Sequence, residues 1–399
     1  MSPLLFYYDI ACPYAYIASQ RIEALAERLG TAVSWRPVLL GGIYRAHGAP
    51  QVPADTWAAA KAALGDRDLA RQAAWHGVPL RVPPSHPQRT VSAMRLLVAT
   101  PPHKRPTLSH ALYRAYWVEG RDITARATLD ALASAHGVDP SVIDSPEARA
   151  GLYETTAEAV SHGAFGVPTV AVGDQMWWGQ DRLHFAAAAL GAPRPPLPDP
   201  IAKNRAKVSF YHDFSSPFSY LASTQIAGLA ARYGVTVDWK PILLGALFRS
   251  IGTPNVPMLT MSPAKQDYVQ RDLSEWAAWW GVPFRFPRTF PVRTVLPLRV
   301  SILEPKATAP LYRALWADDR DIGQPAVVQA VLDEAGLDPA LVAATQQPAV
   351  KARLRANTEE AEAAGVCGVP TVAVGGELVW GQDRLPMLAD VLAGRFSLS

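Results

Sequence analysis

Two stretches of this chain, 204 residues apart, place a nucleophile-type residue directly before a proline: Cys12-Pro13 and Ser216-Pro217. Proline suits the first position of a helix because its missing N–H would have no intrahelical partner there. Cys12 and Ser216 are therefore expected at helix N-termini, where free N–H groups and the helix dipole stabilise an anion. At such a position a thiol is expected to lose its proton more easily, and a hydroxyl can donate to a neighbouring thiolate. Ser216 would equally make a plain N-cap, so position alone leaves cap and active site both open.

A second pair is Val167-Pro168-Thr169 and Val369-Pro370-Thr371, in which a proline opens a strand. Such a proline cannot donate to the ladder and suits a cis bond in a tight turn. The valine before it is expected to offer unpaired backbone N–H and C=O groups to an extended thiol peptide. The third pair, Gln180-Asp181 and Gln382-Asp383, opens the last helical pattern of each half. Simple dipole capping would account for the acid. The sharper reading gives the carboxylate an α-amino group to bind and the helix N–H groups an α-carboxylate.

Cys12 and Cys367 are the two cysteines, which excludes a disulfide framework or a thiolate zinc cluster. Cys367 stands where the first half has Phe165 and reads foremost as a small buried hydrophobe, with a redox role left open. The nine histidines show no metal-ligand spacing and no Gly-rich phosphate loop is present, so no metal site is expected.

These pairs belong to a repeat. FYYDIACPYAYIAS from Phe6 returns as FYHDFSSPFSYLAS from Phe210, Trp35-Arg36-Pro37 returns as Trp239-Lys240-Pro241, and LYRAYW returns as LYRALW. GVPTVAVG recurs unchanged, and WGQDRL closes both copies. Between them, residues 192–200 are proline-rich, which forbids a helix and favours a stiff extended connector. The expected organisation is copy one over 1–192, a linker over 193–203 and copy two over 204–399, with the halves packed against each other.

Within a half, an apolar strand pattern leads through the Cys/Ser-Pro turn into an amphipathic stretch (Tyr16, Ile17, Ile22, Leu25, Leu29), then Gly30 and a second strand. That is a β-α-β unit. The middle, about 54–162 and 258–364, has helical spacing throughout, and the end reads as a β-hairpin followed by a helix. The fold class expected is α/β: two thioredoxin-like domains, each with an all-helical insertion, fused as a pseudo-dimer.

Bulk properties narrow the partners. The net charge is +3 over 399 residues, with 18% charged and 49% hydrophobic residues, so neither a nucleic-acid stripe nor a membrane patch is indicated. No apolar run approaches a membrane span and no secretory leader is visible, so a cytoplasmic protein is expected.

On FYYDIACPYAYIAS, FYHDFSSPFSYLAS, GVPT and W-G-Q-D-R, the chain resembles the 2-hydroxychromene-2-carboxylate isomerase and kappa-class glutathione transferase branch of the DsbA-like proteins, over nearly all of both halves. The resemblance implies glutathione as cofactor. It implies that Ser216 hydrogen-bonds the glutathione sulfur, that Val369 and Pro370, with Val167 and Pro168 in copy one, pair with the cysteinyl backbone, and that Asp383 and Asp181, each beside its glutamine, hold the γ-glutamyl group. Asn255 and Lys265 are the counterparts of an Asn and a Lys at the start of the insertion. Copy one departs: Lys61 aligns with Lys265, but Gln51 replaces the Asn and Cys12 the Ser. Cys12 resembles half of a C-x-x-C motif, leaving it either a mixed disulfide with glutathione or the serine's role. The activity implied is isomerisation of a conjugated, aromatic-derived carboxylate of aromatic catabolism. A kappa-like transferase or a monothiol oxidoreductase using Cys12 is the alternative, and a further homodimer is compatible with either.

Overall fold

The computed structural model describes residues 2–201 and 207–398. Residues 202–203 of the expected linker and 204–206 of the expected second copy lie outside the described residues, as do Met1 and Ser399.

The first copy opens with β1 (Leu4–Tyr8), α1 (Pro13–Arg28) and β2 (Val33–Pro37). A buried apolar strand such as LLFYY belongs at the centre of a sheet. β1 indeed pairs in parallel with β2, Phe6 facing Trp35, and antiparallel with β3 (Thr169–Val172), Phe6 facing Val170. β4 (Gln175–Trp178) completes the order β2-β1-β3-β4. Gly30, at φ 63°, follows α1 in the left-handed conformation that releases the chain toward β2. Between β2 and β3 lie α2 (Leu40–Ala46), α3 (Ala59–Trp75), α4 (Val91–Ala99), α5 (Arg105–Trp117), α6 (Arg126–Ala135) and α7 (Pro146–Ser161); α8 (Leu183–Ala189) closes the copy.

The second copy repeats the plan with β5 (Lys207–His212), α9 (Pro217–Tyr233), β6 (Thr236–Pro241), α10 (Leu244–Ser250), α11 (Pro263–Trp280), α12 (Val295–Leu303), α13 (Thr308–Trp316), α14 (Pro325–Glu334), α15 (Leu341–Ala344), α16 (Pro348–Ala363), β7 (Thr371–Val374), β8 (Glu377–Trp380) and α17 (Leu385–Leu392). Its sheet order is β6-β5-β7-β8. Two thioredoxin-like sheets with helical insertions are thus present. One face of the second sheet packs Val208, Phe210 and Val372 against Ile226 of α9 and Leu388 of α17.

A tryptophan ties each insertion to the turn ahead of its first helix. Trp117 Nε1 donates to Ile10 O, and Trp316 Nε1 to Phe214 O, each at 2.8 Å. Both rings are fully buried, so an indole N–H without a partner would cost about 1–3 kcal/mol, which holds these contacts in place.

Packing divides the chain differently from the repeat. One compact unit comprises 1–53 and 69–196, the other 54–68 and 197–399. Residues 54–68, expected within copy one, therefore belong to the second unit. The cause is Leu64, 1% exposed, which sits in a core cluster with Tyr211, Ile242, Leu247, Cys367 and Val369.

Candidate active site

In the second unit the Ser216 hydroxyl does two things. It accepts from Ser219 N at 3.1 Å, capping α9, and it donates to Val369 O at 3.0 Å. The cap expected on sequence grounds is present, and the same hydroxyl reaches the proline loop. The Val369 carbonyl, expected unpaired, accepts this bond. Ser216 is only 4% exposed.

The Val369–Pro370 peptide is cis, as is Val167–Pro168. Pro370 O accepts from Gly381 N at 2.9 Å, and Pro168 O from Gly179 N at 2.9 Å. Each proline loop is thereby bonded to the turn that carries Gln382-Asp383 or Gln180-Asp181. Those residues form a 3-10 turn, Gln382–Arg384 or Gln180–Arg182, ahead of the last helix rather than its first α-helical turn. Gly179, at φ 112°, has a second reason to be glycine: a Cβ there would stand 2.5 Å from Asp181 Oδ1, and Gly381 meets Asp383 in the same way.

Gln382 is 1% exposed; its Oε1 accepts from Trp280 Nε1 at 2.9 Å, while its Nε2 has no hydrogen-bond partner among the described residues. A buried donor left unpaired is costly and suits a ligand acceptor beside Asp383. In copy one the equivalent amide is engaged on both ends: Gln180 Nε2 donates to Gln72 Oε1 at 2.8 Å and its backbone carbonyl and Oε1 accept from Arg21.

Cys12 differs from Ser216 in more than its atom. It makes no side-chain cap bond, and its Sγ–H donates to Val167 O at 3.1 Å. Burial pushes its pKa up to about 12, outweighing the Ala15 and Tyr14 N–H groups that lower it, and the Asp9 charge adds to the rise. The expectation of an acidic thiol at this helix N-terminus is overturned, because desolvation of the sulfur exceeds what two N–H groups return.

Lys61, the counterpart of Lys265 by alignment, packs outside the first compact unit. It lies in the second unit, where its ammonium stands 4.5 Å from the Trp57 ring centre. The charges of Lys61 and Cys367 act on each other: burial raises the Cys367 pKa to about 11 while Lys61 lowers it. Lys265 is pushed down by burial and by Lys61, so both lysines lie in one neighbourhood. Asn255 is exposed in the segment after α10, its Oδ1 so close to Gly245 at the start of that helix that a Cβ there would be 2.9 Å away; Gln51 Nε2 donates to Gly41 O at 3.3 Å in the equivalent place.

Sequence reasoning missed Asp9 and Asp213. Each is 1% exposed and braces the site turn: Asp213 accepts from Ser215 N at 2.9 Å and Leu244 N at 2.8 Å, Asp9 from Ala11 N at 3.0 Å and Leu40 N at 2.9 Å. Burial raises both pKa values, opposed by these bonds and by the Thr294 and Thr90 hydroxyls. The signal was available, since the aspartate recurs in both copies of the opening motif.

Comparison with known proteins gives the family. The model of the DSBA-like thioredoxin domain matches residues 4–191 and 207–393. A 2-hydroxychromene-2-carboxylate isomerase of Pseudomonas putida is 33% identical over 190 residues, 46% of this chain and 93% of that protein. A glutathione S-transferase kappa 2 of Caenorhabditis elegans is 28% identical over 214 residues, 48% and 94% respectively. A solved 2-hydroxychromene-2-carboxylate isomerase structure aligns with a TM-score of 0.42 at 30% identity, over 47% of this chain and 95% of that one.

Proposed function

Since the chain belongs to the DsbA-like thioredoxin family, with two tandem copies of its domain, we propose that it is a glutathione-dependent isomerase whose working site lies in copy two. The observation that carries this is the Ser216 hydroxyl, held between Ser219 N and Val369 O at 3.1 and 3.0 Å.

When bound, glutathione would supply a sulfur nucleophile for reversible addition to a conjugated enone. Ser216 keeps its lone pair on Ser219 N–H and turns its proton from Val369 O to the sulfur, stabilising negative charge without giving the proton up. The Val369 carbonyl so released takes a backbone donor of the peptide, in the manner of an added strand. Gln382 Nε2 and the Asp383 carboxylate are suited to the two ends of the γ-glutamyl group, acceptor and ammonium. Asn255, Lys61 and Lys265 supply a polar and cationic rim for the remaining carboxylate. Val167, Pro168, Gln180 and Asp181 would do the same around Cys12, as a weaker second site.

The monothiol alternative loses support from the Cys12 pKa near 12, because the thiolate is the reactive form. A transferase would use the same Ser216 site with a different electrophile. The conjugated aromatic-derived carboxylate, the cytoplasmic setting and the pseudo-dimer, with or without a further homodimer, belong to the same proposal. Among the described residues, no helix is long and apolar enough to cross a membrane. Titration calorimetry with glutathione tests the reading: micromolar to millimolar binding supports it, and no heat of binding up to 10 mM, roughly the weak end of specific binding, would refute it.

A further inference from the structure

The helix α12 reads VLPLRVSIL, and Arg299 is its one charged residue; α4 reads VSAMRLLVA, with Arg95 alone at the same place in copy one. A guanidinium drawn into an apolar helix is costly unless something pairs with it. Yet the Nε of Arg299 and the Nε of Arg95 are both buried and have no hydrogen-bond partner among the described residues.

In the second unit Arg299 lines a cleft of about 450 Å³ between α10, α12 and α16, inside the range of roughly 300–1,000 Å³ common for small-molecule sites. Leu243, Val295 and Leu354 give the cleft apolar walls, and Lys351 and Arg355 of α16 add two cations to Arg299. Glu359 and Glu362, its two acids, come later along α16, and Glu362 already accepts a hydrogen bond from Ser250 Oγ. Copy one shows which of these charges belong together. Counted from Pro146 and Pro348, the helix starts, Lys351 corresponds to Arg149, whereas Glu359 and Glu362 correspond to Ala157 and Val160. A basic pair, Arg299 with Lys351 or Arg95 with Arg149, is thus present in both copies and the acids in only one, so the buried arginine is not there to balance them.

We propose that the cleft between α10, α12 and α16 binds a small organic carboxylate, its anion on Arg299 and its apolar body against Leu243, Val295 and Leu354. A guanidinium pairs with a carboxylate through parallel, charge-assisted hydrogen bonds, and the unpaired Nε is a donor such a pair uses. The apolar walls favour an organic anion over an inorganic one. The inference does not depend on glutathione binding.

Naphthoate is the probe, with naphthalenemethanol as its uncharged counterpart and inorganic phosphate as an anion without an apolar body. Calorimetry uses the full chain carrying Arg95→Gln, which removes the matching cation of copy one. Naphthoate should bind with a submillimolar Kd and the alcohol about tenfold more weakly, the scale of one lost charged hydrogen bond. Arg299→Gln should weaken naphthoate about tenfold and leave the alcohol unchanged. Ala246→Phe, which fills the cleft while keeping every charge, should weaken both probes. Lys351→Gln, at an exposed position that the fold does not need, should weaken naphthoate about threefold and so keeps the test decisive if a cleft variant unfolds. Equal affinity for acid and alcohol overturns the inference, as does phosphate binding as tightly as naphthoate. So does unchanged naphthoate affinity in any variant that keeps the parent's melting temperature, or no saturable heat up to roughly 10 mM.

Discussion

Cys12 and Ser216 occupy the same turn of the same fold, before the same proline, opposite the same valine carbonyl. Yet the serine accepts a cap bond from Ser219 N while the cysteine makes no side-chain cap bond, although both donate to a valine carbonyl. A hydroxyl accepts and donates with short, directional bonds, whereas a thiol is a weak donor and a weaker acceptor. Burial then keeps the thiol protonated. The lesson is that a helix N-terminus does not by itself make a reactive cysteine: the N–H groups must outweigh the cost of desolvating sulfur, and around Cys12 they do not.

The comparison can be broken at several points. Ser216→Ala should lower kcat/KM with a conjugated enone substrate by about 10²–10³, the usual loss for one donor to developing charge; steady-state kinetics that show less than threefold would move the site elsewhere. Leu64→Ala should destabilise the second unit by about 3 kcal/mol, the scale of a buried leucine truncated to alanine. Thermal unfolding followed by tryptophan fluorescence should show that loss in the transition of the second unit, not the first.

Position 212 separates the copies by pH. His212 is fully buried and its pKa is pushed down to about 3, so it is neutral in the fold, whereas copy one has Tyr8 in that place. Its folded pKa lies below the unfolded value, so its contribution is present above about pH 6.5 and is lost as pH falls toward 3, at about 1.4 kcal/mol per pH unit. Denaturant titrations between pH 7 and 4 should show a shallower acid slope for His212→Tyr than for the parent. Raised thiol pKa values act at the other end: the contributions of Cys12 and Cys367 are full below about pH 8.5 and fade as pH rises toward about 12 and 11. The smallest effect is expected from Cys12→Ser, which gives α1 the cap that α9 has and should stabilise the first unit by about 0.5–1 kcal/mol. Unchanged stability would mean that the turn, and not the atom, sets the difference.

Much of this was legible in the sequence because the repeat supplied its own control. Cys12 and Ser216, the Val-Pro loops and the Gln-Asp turns stood at matched positions, and a β-α-β start with a hairpin-helix end identifies the fold from local pattern alone. What escaped was non-local. Nothing in the spelling of residues 54–68 says that Leu64 is buried beside Tyr211 or that Asp68 grips Arg384, 316 residues away. Lys61 was accordingly assigned to copy one by alignment, and the packing places it with copy two. Asp213 was overlooked for a different reason: an aspartate in a turn is read as exposed, and its burial follows from backbone N–H groups that only the folded turn aims at it.

A crystal structure of the full chain with glutathione bears most directly on the account. The sulfur is expected within hydrogen-bond distance of Ser216 Oγ, with the γ-glutamyl ammonium on Asp383 and its carboxylate on Gln382. Glutathione bound at the Cys12 turn, with the Ser216 turn unchanged, would contradict it.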